Sequence, residues 1–139
     1  MTTALSEGLL RVALDIGASL SSDDRSRRLV EVVHEALPCD AVALLQLDGE
    51  VLVPAAAAGL SLDVLGRRFA RHEHPRLDII CASESPTRFP ADSPLPDPFD
   101  GLVIGGEVLR EGRVHSCLGC PLRVEGELVG VLTADALAP

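Results

Sequence analysis

The hydrophobic period of this 139-residue chain changes at Pro38. Upstream, apolar side chains recur at helical spacing; downstream, they form short runs bounded by turn residues. A chain that reads helix first and strand afterwards must lay helices against a sheet, so its fold class is α+β. Leu5, Leu9, Val12, Ile16 and Leu20 predict an amphipathic helix over about residues 4–20. Ser21-Ser22-Asp23-Asp24 offers N-cap side chains and anionic first-turn residues for a second helix. Its apolar face is read as Leu29, Val33, Ala36 and Leu37, and Pro38 stops it.

Past Pro38 the signals are those of paired strands. Ala41 to Leu47 and Val51 to Ala57 are apolar runs separated by Asp48-Gly49, a pair that tolerates the positive φ of a tight hairpin turn. Residues 61–65 predict a short helix, and a further helix begins near Pro75, since proline suits a first helical turn. Thr87-Arg88-Phe89 reads as a short strand. Ala91 to Gly106 contains Pro94, Pro96 and Pro98 without periodicity, and long loops in small domains often carry function. Val114–Val124 and Leu128–Asp135 form a closing pair of strands joined around Glu125-Gly126. The expectation is a central antiparallel β-sheet with flanking helices. Residues 1–139 make one domain, and the last residues read as the start of a connection to the rest of a longer protein.

Composition narrows the partners. Lys and Arg number 12 against 21 Asp and Glu, a formal charge of −9, which suits direct nucleic-acid binding poorly. Three Phe with no Trp or Tyr leave no platform for stacking bases. No apolar run is long enough to span a bilayer, and Met1–Glu7 lacks the basic start and apolar core of a secretion signal. A cytoplasmic, reducing location is expected, so Cys39, Cys81, Cys117 and Cys120 read as thiols or ligands rather than disulfides.

Several polar residues are unusual for their surroundings. Asp97 and Asp100 lie in Leu95-Pro-Asp-Pro-Phe-Asp-Gly101. His115 and Cys117, two apart on an apolar strand, point to one face, and Asp135 ends the last apolar run. Carboxylates with imidazole form non-haem ferrous sites, and thiolate extends the choice to zinc while disfavouring magnesium and calcium. Three carboxylates and a thiolate outweigh a divalent ion, a nearby arginine would offset part of the excess charge, and Arg76 in His74-Pro-Arg76 is the candidate.

Plainer readings stand beside these: packing for His115 and Cys117, turn chemistry for Asp97, a strand end for Asp135 and a solvated helix charge for Arg76. Cys117-Leu-Gly-Cys120 lacks the second pair of a four-cysteine zinc site. Register gives a geometric condition. A three-residue loop Glu125–Glu127 sets Cys117 opposite Asp135, whereas a two-residue loop at Glu125-Gly126 sets it opposite Ala134 unless a bulge restores the parity.

His74-Pro-Arg-Leu77, Arg88-Phe-Pro-Ala-Asp-Ser93, Leu95-Pro-Asp-Pro-Phe-Asp-Gly101, Val114-His-Ser-Cys117 and Leu128-Val-Gly-Val-Leu-Thr-Ala-Asp135 follow one another in order. With Cys39-Asp-Ala41 and Asp63-Val-Leu-Gly-Arg-Arg-Phe69, this series resembles the NorR-type GAF domains of nitric-oxide-responsive activators of sigma-54-dependent transcription, over essentially the whole length. The resemblance implies a sensory domain, not an enzyme, that binds nitric oxide at a mononuclear non-haem Fe(II) and controls an adjacent AAA+ domain. It implies metal ligands at Asp97, Asp100, Cys117 and Asp135, with Arg76 and His115 beside them. Guanidinium has no lone pair to give, so Arg76 is expected to compensate charge or donate a hydrogen bond rather than ligate. A homodimer through the N-terminal helices is the expected self-association. Phe99 stands where the family leads one to expect tyrosine, and residues 105–112 look expanded.

Two other functions compete. A GAF domain for an organic effector requires a closed apolar pocket with few converging charges, which the clustered aspartates oppose. A methionine-sulfoxide reductase using Cys117 with Cys120 or Cys81 requires a low-pKa thiolate, which an acidic pocket disfavours.

Overall fold

The computed structural model describes residues 23–90, 92–99 and 116–136. The predicted helix over 4–20, and with it Asp100 and His115, lies outside the described residues. Helix α1 (Asp23–Ala36) is the second predicted helix. Its buried stripe runs Ser26, Leu29, Val30, Val33 and continues to Leu37, while Ala36 is exposed, against expectation. At 3.6 residues per turn Ala36 falls roughly 80° from the centre of that stripe, beyond the surface the sheet covers.

Among the described residues, six strands form one antiparallel sheet. They are β1 (Ala41–Asp48), β2 (Val51–Ala58), β3 (Phe69–Ala70), β4 (Thr87–Phe89), β5 (Ser116–Val124) and β6 (Glu127–Ala136), in the order β3-β2-β1-β6-β5-β4. The first hairpin turns on Gly49-Glu50, because Asp48 pairs with Val51; the predicted Asp48-Gly49 turn is one residue early. Gly49 has φ +64° and Glu50 has none of the positive φ the Asp-Gly reading assumed, so one glycine suffices. The 61–65 helix is a 3₁₀ segment at Leu62–Gly66, and helix α2 (Pro75–Ala82) begins on its proline. β3 and the 3₁₀ turn Arg71–Glu73 have no counterpart in the sequence reading, being too short to show a period.

Alternation along the strands divides the core into two layers. Val42, Leu44, Leu122 and Leu132 meet Leu29, Val30, Val33 and Leu37 of α1 on one face. Ala43, Leu45, Cys117 and Val131 meet Leu77 and Ile80 of α2, together with all three phenylalanines, on the other. α2 lies close to the sheet because Gly119 has no side chain: a Cβ there would sit 2.1 Å from Ile80 Cδ1. Residues 92–99 carry no helix or strand and cover this second face beside α2. No described helix is long and apolar enough to cross a membrane.

Candidate metal centre

The closing hairpin decides the site. Its loop has two residues, Glu125-Gly126, with φ of 52° and 84°, as a tight primed turn requires. A bulge then interrupts the register between Leu122 and Arg123: Leu122 pairs with Gly130, Arg123 with Leu128, and Val129 is the extra residue. Parity is restored, and Cys117 lies directly opposite Asp135. Of the two routes the sequence allows to this pairing, the chain takes the bulge rather than the three-residue loop. On its other side Cys117 is opposite Phe89 of β4.

Asp97 reaches the pair from the loop. Its Oδ1 accepts from the Phe99 amide at 2.8 Å, a local turn that fixes the carboxylate, and its Oδ2 accepts from Arg76 Nη1 at 3.2 Å. Arg76, in the first turn of α2, also donates from Nε to the Leu95 carbonyl at 2.8 Å and lies 5.0 Å over the Phe89 ring. Its planar guanidinium is thereby fixed in orientation. One donor atom from each of Asp97, Cys117 and Asp135 lies within 4.8 Å of the others, and all three residues are buried. Two donors at ~2.0–2.3 Å from one ion lie at most roughly 4.6 Å apart, so the spacing is that of ligands before small adjustment.

The electrostatics of the cluster disfavour negative charge. Asp135 is 1% exposed, and its Oδ1 has no hydrogen-bond partner among the described residues. Burial first, and the Asp97 charge second, hold the Asp135 carboxyl well above the usual carboxylate range. Burial, then the charges of Asp135 and Asp97, push the Cys117 thiol well up. A divalent ion removes both penalties. Two carboxylates, one thiolate and one guanidinium leave two negative charges, which a divalent cation cancels in full. Carboxylate and thiolate donors fit a first-row transition metal and exclude magnesium or calcium as the natural choice.

Of the six residues grouped from the sequence, Asp97, Cys117, Asp135 and Arg76 meet in the structure, while Asp100 and His115 lie outside the described residues. It missed Phe89 and Leu95, which steer Arg76. A signal for Phe89 was available, since it is one of three aromatic residues in the chain. A backbone carbonyl such as that of Leu95 leaves none. All four cysteines are free thiols. Cys117 and Cys120 belong to opposite core layers, and burial raises the Cys120 thiol to about 11, so the C-x-x-C pair is not arranged for disulfide chemistry.

The family model described as "GAF domain" matches residues 21–139. This chain belongs to the GAF domain family. The GAF domain is 48% identical over 130 residues to the anaerobic nitric oxide reductase transcription regulator NorR of Aliivibrio fischeri, covering 94% of this chain and 25% of that protein. It is 44% identical over 131 residues to the regulatory protein LuxO of Vibrio cholerae, covering 94% and 24%. The chain thus spans about a quarter of the length of the curated relatives it matches. Among solved structures, the GAF domain of a phosphoenolpyruvate-protein phosphotransferase from Coxiella burnetii superposes with a TM-score of 0.64 at 27% identity, over 93% of this chain and 77% of that one. Both curated relatives are named as regulators.

Proposed function

We propose that this GAF domain senses nitric oxide at a mononuclear non-haem Fe(II) held by Asp97, Cys117 and Asp135. Asp100 is the fourth proposed ligand, His115 stands beside the set, and Arg76 balances the charge. The observation that carries this reading is a wholly buried Asp135 oxygen without a hydrogen-bond partner among the described residues, in a cluster with a second carboxylate and a thiol. Such an atom costs about 1–3 kcal/mol unless something satisfies it, and a cation does so. The NorR relative is named for a nitric oxide reductase system, whereas the LuxO relative carries no ligand in its name.

Ferrous iron held at this position would supply affinity for nitric oxide. The protein's part is to hold that position dry and to respond. Phe69, Phe89 and Phe99 line this face with buried apolar rings, a setting that suits a small, weakly polar gas. Arg76 sits where one N–H already points at Asp97, so a change in the demand on that carboxylate alters the pairing between α2 and loop 92–99. A ligand shifts such an equilibrium only through its different affinity for the two arrangements. An adjacent AAA+ domain in a longer cytoplasmic regulator reads the outcome, and repression is relieved when nitric oxide binds. Self-association through the N-terminal helices belongs to the same reading. Iron-reconstituted chain exposed anaerobically to nitric oxide should give a paramagnetic iron–nitric oxide resonance, weakened by Asp97→Ala and by Cys117→Ala. An undiminished signal in both variants would refute the site.

A further inference from the structure

Asp135 is tied to the opposite layer of the molecule. It ends β6 beside the start of β1, where it pairs with Ala41, and its carbonyl accepts from the Asp40 amide at 2.8 Å. The Asp40 carbonyl in turn is held 3.2 Å from His34 Nε2. A carbonyl only accepts, so His34 donates from Nε2. His34 lies in the last turns of α1, on the sheet face away from the metal centre. The Asp40 peptide is clamped from a third side, because Gly59, at φ +74°, passes so close that a Cβ would overlap the Asp40 carbonyl oxygen. One residue therefore connects α1 to a buried carboxylate of the site, with both of its backbone polar groups engaged.

We propose that His34 is a positioning residue for Asp135, fixing from helix α1 the strand end that presents the carboxylate. This rests on the metal centre proposed above. Asp135 Oδ1 has no partner among the described residues, and the side-chain hydrogen bonds of this carboxyl are to Cys117 and Asp97 of the same cluster, so its anchorage from outside the cluster comes through its backbone, to which Asp40 is bonded beside the pairing with β1. Loss of the His34 donor frees the Asp40 peptide to tilt and lets the Asp135 carboxylate drift from Cys117 and Asp97. By linkage, an ion that draws Asp135 inward also tightens the junction at residues 38–41 and the end of α1.

The probe is Co²⁺, titrated anaerobically into the 139-residue chain and followed by thiolate-to-cobalt absorption. His34→Leu should weaken Co²⁺ binding about tenfold, as loss of outer support to a metal site does. His34→Gln, which keeps a side-chain N–H at similar reach, should recover most of the affinity even where its thermal stability matches that of His34→Leu. Amide exchange at Asp40 should slow on Co²⁺ loading in the wild type and not in His34→Leu. Equal Co²⁺ affinity in all three proteins, or an Asp40 amide indifferent to Co²⁺, overturns the proposal and leaves the metal centre standing. A wild-type chain that takes up no Co²⁺ overturns the metal centre and this proposal with it.

Discussion

At the scale of single residues, the centre trades stability for chemistry. Asp135 is raised by burial and by Asp97, so its folded-state pKa exceeds its unfolded value. The sign follows: in metal-free protein its contribution to stability is fully present below about pH 4 and is lost as pH climbs toward the raised folded value. Asp135→Asn removes the charge and keeps the shape. It should stabilise the metal-free protein by about 1–3 kcal/mol at pH 8 and by little near pH 4. Urea unfolding across pH measures the difference; a variant less stable than wild type at pH 8 contradicts the account. The individual donors were legible because an aspartate or cysteine inside an apolar strand stands out. Their mutual facing was not, since it depends on Phe99 donating its amide to Asp97 and on Leu95 and Phe89 steering Arg76. Those interactions use backbone atoms and a ring face, which no residue pattern advertises.

At the scale of elements, strand register is the decisive variable. The β5–β6 hairpin was readable from its apolar runs, but the partner of Cys117 was not. Turn length and bulge trade one residue for another and leave the same sequence signal. The bulge leaves Val129 unpaired beside Gly130, where a Cβ would sit 2.2 Å from the Leu45 carbonyl oxygen, so close backbone approach from β1 helps to fix it. The turn itself carries a cost, because Glu125 adopts φ +52°, a left-handed conformation disfavoured for a residue with an ordinary side chain. Glu125→Asn fits the primed turn better and should add about 0.5–1 kcal/mol, raising Tm without altering Co²⁺ affinity. Calorimetry with a parallel Co²⁺ titration checks both halves. Lost Co²⁺ affinity would mean that the turn, not the bulge, sets the register of the site.

At the scale of the whole molecule, the sheet separates two tasks. α1 packs one face, and the other carries α2, loop 92–99 and the acidic–thiol cluster. The layer order was inferable from the change of period at Pro38, since helix-then-hairpin chains have few ways to bury both faces. That one face is reserved for a buried charged cluster follows only from three-dimensional facing. A site that exists in the folded state alone must stabilise that state when filled. Co²⁺ at a hundredfold excess over its Kd should add about 2.7 kcal/mol to the unfolding free energy. Cys117→Ala should lose that increment, and an equal increment in the variant would place the ion elsewhere.

The central claim is that Asp97, Cys117 and Asp135 surround one transition ion. X-ray absorption at the iron edge of the anaerobically reconstituted chain addresses it most directly. A single sulfur neighbour at about 2.3 Å among oxygen and nitrogen neighbours, gone in Cys117→Ser, is the predicted result. A wild-type spectrum with no sulfur in the shell would contradict the account.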